Sequence, residues 1–286
     1  MNMGMQQIRW MICALALCAI EVSAKVAAEL VLSGGRTWQG TLLERDGDWI
    51  EFMPQSAVKS IRFGVQSIEQ INYDLALSVG EWMSLQEESD SALIIDTLES
   101  ILRPLQPYED IPSNVTEYQQ LLMKTYYKVA SYIRVVSLTE AVMQGVDDVD
   151  AAQEAEMFNV LARIALDDQE GVSAYFEEAT WLDRSWKKWS PSQLYVAAKW
   201  KQKESDMAAA MEYNAGLIAF HSYDTDWLPL AELLSAELYV ELGLYASATE
   251  VIEQIKLLYP DTQELQRAMK LKQKIARANL VDSLEE

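Results

Sequence analysis

His221 is the one histidine of the chain, and both cysteines, Cys13 and Cys18, fall near its start. One imidazole with no nearby thiolate cannot assemble a zinc site of ordinary composition, which needs three or four His, Cys or carboxylate ligands. A Ser–His–Asp set around His221, in Ala219-Phe220-His221-Ser222-Tyr223, would need a nucleophile turn of the Gly-x-Ser-x-Gly kind, and none accompanies it. Gly34-Gly35 opens no phosphate loop, because no Lys-Ser or Lys-Thr pair follows. The 44 Asp and Glu residues supply many carboxylate pairs, yet no spacing singles out two for acid–base work. The acidic run Asp147, Asp148, Asp150, Glu154 and Glu156 lacks the glycine and terminal glutamate of a calcium-binding loop. It reads as a solvated loop from Gly145 to Glu156 that ends in a negatively charged helix start. Trp181, Trp186 and Trp189, interleaved with Arg184, Lys187 and Lys188, form a partner surface or sugar platform if exposed. If buried they are packing between two helical hairpins, the expected reading for Trp. The expectation is therefore no catalytic residue, no metal and no cofactor.

Composition narrows the class further. The chain has 286 residues, half of them hydrophobic, and only 7 Pro, so it can bury a substantial core. Its formal charge of −21 argues against nucleic acid and against anionic lipid, both of which select basic surfaces. At the start, Arg9, the apolar run Trp10 to Ile20 and the small-residue site Val22-Ser23-Ala24 have the layout of a secretory signal. That run is shorter than the roughly 20 residues that span a bilayer. Residues 1–24 are expected to be removed, leaving an exported, periplasmic or extracellular protein that begins at Lys25, without cysteine and without an integral span. Asn114-Val115-Thr116 is a formal glycosylation acceptor in a eukaryotic secretory route only.

Residues 25–73 alternate with period two around Glu29 to Leu32, Thr37 to Leu43, Trp49 to Phe52, Val58 to Phe63 and Ser67 to Tyr73. Asp46-Gly47-Asp48 is a hairpin turn. Five short strands need a way to protect their edges, and closing into a small barrel provides one. Leu32, Gly35, Gly40 and Leu42, followed by Asp46-Gly47-Asp48, resemble an SH3-like or Sm-like barrel.

From residue 74 to 286 the period is helical. Ala231 to Pro260 reads as two helices around Gly243-Leu244-Tyr245: Leu234, Leu238 and Leu242 recur in the first, Ala248, Ile252, Ile255 and Tyr259 in the second. A small residue with an aromatic three later (Ala236, Tyr239), the turn Gly243-x-Tyr245-x-x-Ala248, and Pro260 twelve after Ala248 resemble a tetratricopeptide repeat. Weaker echoes place second-helix markers at Ala92, Val135, Ala174, Ala209 and Ala248. The fold class expected is α+β, mainly α: a small N-terminal barrel, then a solenoid of five helical hairpins closed by a basic capping helix from Thr262. The proline-rich stretch Arg103 to Asn114 reads as a loop between hairpins.

The resemblance implies protein–protein interaction through a concave face lined by the first helix of each hairpin. Carried over, it places Lys124, Tyr127, Lys128, Asn159, Arg163 and Lys201 on that face as partner-binding residues, with Glu237 and Glu241 on the last hairpin. Arg and Lys there would hold an acidic or C-terminal carboxylate segment of another protein or peptide. The function expected is an exported scaffold or adaptor that is not an enzyme. The alternatives are a cell-envelope enzyme or a peptidoglycan- or sugar-binding protein with an unadvertised site, and a module that self-associates through its repeat edges.

Overall fold

The computed structural model describes residues 25–75, 77–86, 90–145 and 149–285. The expected signal segment 1–24 and the acids Asp147 and Asp148 lie outside the described residues. The fold is α+β and mainly α, an antiparallel sheet followed by a helical region. Contacts divide the chain into two units: residues up to 74 with Pro104–Ile111, and Leu75–Arg103 with Pro112–Glu286.

The first unit holds β1 (Val26–Leu32), β2 (Thr37–Asp46), β3 (Trp49–Pro54), β4 (Ile61–Gly64) and β5 (Ile68–Tyr73), with a 3-10 turn at Val65–Ser67. All pairings are antiparallel, in the order β4-β3-β2-β1-β5, so β5 returns to pair with β1. Period-two alternation puts Leu30, Leu42, Ile50, Phe52 and Ile71 wholly out of solvent. Gly40 pairs with Pro54, and a Cβ there would lie 2.1 Å from the Met53 carbonyl oxygen, so β3 approaches as it does only over glycine. Gly47 takes a positive φ of 56° in the tight turn between β2 and β3. Val58, expected inside a strand, is 97% exposed and precedes β4. The stretch expected as a loop between hairpins is more than that. Leu105, Tyr108 and Ile111 are buried in this unit, and Arg45 donates to the Pro107 carbonyl and, as a fork, to the Asp110 carboxylate. Arg103–Tyr108 forms a 3-10 helix, and the three prolines keep the segment from continuing as α-helix while its apolar side chains still find a core.

The second unit contains α1 (Val79–Gln86), α2 (Ser91–Leu102), α3 (Thr116–Lys128), α4 (Tyr132–Gly145), α5 (Val149–Ala165), α6 (Gln169–Glu178), α7 (Pro191–Lys203), α8 (Met207–Phe220), α9 (Leu228–Glu241), α10 (Tyr245–Leu258) and α11 (Gln263–Glu285). Helix α5 begins within the stretch expected as an acidic loop, because Ala151 and Ala155 face the core and draw it into helix. Four turns share one geometry. Ala130, Asp167, Ser205 and Gly243 have φ of 59°, 63°, 64° and 73°, at intervals of 37, 38 and 38 residues. Each donates its N–H to the carbonyl three residues back, and the next residue donates to the carbonyl five back, as Gly243 to Val240 and Leu244 to Tyr239. Asp168 and Asp206, just after the turn, then accept from Gly171 and Ala209 and start the following helix.

Five residues past each turn, Val135, Val172, Ala210 and Ala248 are fully buried. The markers at Val135 and Ala248 hold, whereas Ala174 is exposed and Ala209 only half-buried, so the expected register there was two and one residues off. The five markers nonetheless all lie on helices, α2, α4, α6, α8 and α10, the last four of which follow the four turns. The first helices form the other layer, with α3 against α5, α5 against α7, α7 against α9 and α9 against α11. Helix α9 buries residues on two of its faces. Ala231, Leu234 and Leu238 face the main core, while Leu233 and Ala236 face Ala248, Ile252, Ile255 and Ala268 of α10 and α11.

Candidate functional site

The first helices meet the start of α11 around a cavity of about 190 Å3. On α3, Lys124, Tyr127 and Lys128 project one way because residues three and four apart share a helix face. Glu154 and Phe158 do the same on α5. The Asp224 carboxylate accepts the N–H groups of Asp226 and Trp227 and so fixes the turn that delivers Trp227 and Pro229 to the cavity. Thr262 caps α11 by accepting from the Leu265 N–H, which sets Glu264 and Arg267 on the cavity side. The start of α11 is tied to the early helices α2 and α3 of this unit. Gln263 donates to Ser91 Oγ at 2.7 Å, and Arg267 donates to the Lys128 carbonyl at 2.9 Å.

The wall is aromatic. Tyr127 and Phe158 stand edge-to-face at 5.4 Å, Phe158 and Trp227 are also 5.4 Å apart, and Tyr195 backs Trp227 at 5.6 Å. Burial raises the hydroxyl pKa of Tyr127 and of Tyr195, so both stay neutral donors at physiological pH.

The charges differ in how far they are committed. Lys124 Nζ lies 2.9 Å from Glu154 and 2.9 Å from Asp226. Burial pulls its pKa down, but those two carboxylates outweigh burial and hold the ammonium above the ordinary lysine value. Lys128 is exposed at the mouth and has no carboxylate within ion-pair distance among the described residues. Arg267 gives one donor to the Lys128 carbonyl and pairs with no carboxylate there. Glu264 is 8% exposed and, among the described residues, accepts no hydrogen bond and meets no cation within 4.0 Å.

Of the six residues expected to bind a partner, Lys124, Tyr127 and Lys128 line this cavity. Asn159, Arg163 and Lys201 lie further along the row of first helices. Asn159 accepts from Arg163 at 2.7 Å, and Arg163 also pairs with the Asp168 carboxylate at 2.6 Å. Lys201 pairs with Glu204 at 2.6 Å. Each of these two cations is thus held by a carboxylate near its own hairpin turn. Glu237 is likewise taken by Lys199, at 3.1 Å, and Glu241 by Gln202. Sequence reasoning did not reach Phe158, Trp227, Glu264 or Arg267, which join α3 only through folding.

Two other candidates resolve as structure. Trp181 and Trp189 are buried and pack edge-to-face at 4.6 Å, and Trp186 covers Gly216 so closely that a Cβ there would lie 2.6 Å from its ring. On the sheet, a second cavity of about 390 Å3 is lined by Glu44, Asp46, Glu51, Ser60 and Arg62. Four of these five residues pair with one another, Ser60 donating to Glu51 and Arg62 pairing with Asp46. Among the described residues no His, Cys, Asp and Glu cluster is placed to hold a metal ion, and no helix is long and apolar enough to cross a membrane.

In comparisons with known proteins, no family model, no curated protein and no solved structure matches this chain.

Proposed function

We propose that this protein is a scaffold or adaptor that holds a segment of another protein against the row of first helices, and that it is not an enzyme. In this reading the helical unit is a tetratricopeptide-like array, the sheet unit a small SH3-like barrel, and the protein works outside the cytoplasm after export. Support for the array comes from four hairpin turns of one geometry and from first helices that pack side by side as one layer. Support for the barrel comes from β5 returning to pair with β1.

The observation that carries the binding role is the cavity itself. Its wall is aromatic, and Lys128 stands at its mouth without a carboxylate partner among the described residues, in a chain of net charge −21. A partner segment with an acidic residue and an apolar anchor complements both features. The test is affinity capture from the native envelope extract by the wild-type protein and by Lys128→Glu in parallel, at two salt concentrations. Lys128 is exposed, so the variant should fold unchanged. A partner retained by the wild type and lost from the variant, with binding that weakens as salt rises, is the expected result. Identical capture by both proteins sinks the reading.

A further inference from the structure

The cavity contains an unmatched set of charges that a peptide segment alone would not satisfy. Glu154 and Asp226 are taken up by Lys124. What remains is one carboxylate, Glu264, and two cations, Lys128 and Arg267, around a wall made by Tyr127, Phe158 and Trp227. Glu264 is more than nine-tenths buried and has no hydrogen-bond donor or cation among the described residues. Its oxygens are not sealed from solvent, so they open on the cavity and can meet a cation that enters it. Its place in the first turn of α11 gives it a favourable partial charge but no bond. Arg267 uses one of its five N–H donors on the Lys128 carbonyl and keeps the others for an acceptor.

We propose that this cavity binds a free α-amino acid, with its ammonium on Glu264, its carboxylate on Lys128 and Arg267, and its apolar side chain against Tyr127, Phe158 and Trp227. A simple anion would leave Glu264 without a counter-ion. A simple amine would leave the two cations unanswered. The C-terminal residue of a peptide supplies the carboxylate but offers Glu264 an amide in place of an ammonium. A zwitterion with both groups on one carbon answers all three, and charge-assisted bonds at each end orient it. The volume agrees: about 190 Å3 lies below the roughly 300–1,000 Å3 of drug-sized sites and suits a ligand of one residue. This inference shares Lys128 and the aromatic wall with the protein-partner reading, and the two are told apart by the ligand, since only a free amino acid brings an ammonium to Glu264.

The experiment is calorimetric titration of the wild-type protein with L-leucine, L-phenylalanine and L-tryptophan, each beside its N-acetyl and its amide form. At least one free amino acid should bind with a Kd below about 1 mM. Blocking its ammonium or its carboxylate should weaken it by roughly tenfold or more, the scale of one lost charge-assisted bond. Glu264→Gln should reproduce the effect of the N-acetyl form, and Lys128→Ala should weaken binding several-fold and flatten its salt dependence. Should Glu264→Gln fold poorly, the blocked ligands put the same question to the wild type. No heat with any of the three, or equal affinity for the N-acetyl form, overturns the assignment. Identical partner capture by the wild type and Lys128→Glu, with amino-acid binding retained, would count against the adaptor reading alone.

Discussion

The hairpin α9–α10 and the three hairpins before it make the same turn from different residues. In the last, Gly243 occupies the left-handed position; in the others Ala130, Asp167 and Ser205 do. The hydrogen bonds are the same in all four, from the turn residue to the carbonyl three back and from its successor to the carbonyl five back. A left-handed conformation costs a residue with a Cβ roughly 1–2 kcal/mol, so three of the four turns are held against their own local preference. Packing supplies the difference. The residue five places on is sealed in the core in every case, as are Met123, Val160, Ala198 and Ala236 seven places before the turn. What repeats in this chain is a backbone geometry and a pair of buried positions, and residue identity follows only where packing leaves no room to vary.

The largest effect that could break this likeness lies in the register of α6. An aspartate at Val172, which is fully buried, should destabilise the protein by at least about 3 kcal/mol, the scale of an unpaired buried charge. The same change two residues on, Ala174→Asp at an exposed site, should fall within about 0.5 kcal/mol of wild type. Urea unfolding of the two variants measures the difference directly. A harmless Val172→Asp with a damaging Ala174→Asp would restore the uneven spacing read from sequence and dissolve the even repeat.

How much was legible follows from where each signal sits. The turn at Asp46-Gly47-Asp48 and the hairpin at Gly243 were readable because glycine marks a left-handed φ by its own chemistry. The turns at Ala130, Asp167 and Ser205 carry no such mark, and only their hydrogen bonds identify them. Val172 escaped notice for a related reason: the small Ala174 looked like the natural marker, yet the buried position holds valine. The cavity was half legible. Lys124, Tyr127 and Lys128 share a face by helical spacing alone, whereas Trp227 and Glu264 stand about a hundred residues or more away, and no local pattern links them to α3. Leu105, Tyr108 and Ile111 were hidden by the prolines around them, which signal a loop and say nothing of what the loop buries.

The next effect sharpens the comparison at its one consensus member. Gly243→Val should destabilise by about 1–3 kcal/mol, because a β-branched residue is poorly suited to φ of 73°. The cost is conformational and not steric, since a Cβ built there meets no atom within 4 Å. Gly243→Asn should therefore recover most of the loss, asparagine being the non-glycine residue that best accepts this conformation. If asparagine and valine proved equally harmful in thermal unfolding, crowding would be the cause and the four turns would not be equivalent.

The smallest effect is a gain, and it tests the comparison from the other side. Ala130 holds φ of 59° with a Cβ, while the same position in the last hairpin has none. Ala130→Gly removes the clash between Cβ and backbone that makes the left-handed region unfavourable, worth roughly 1–2 kcal/mol. It also frees the unfolded chain, which costs about 0.4–1 kcal/mol in the opposite sense. The Ala130 side chain is exposed, so no packing is lost. The expected balance is a stabilisation of roughly 0.5 kcal/mol, read as a small rise in the urea midpoint at unchanged slope. The matched change Gly243→Ala should lose a similar amount. Opposite signs of similar size at the two sites would mean that one turn has been built four times, and a loss at both would mean that Ala130 is held by contacts the last hairpin does not share.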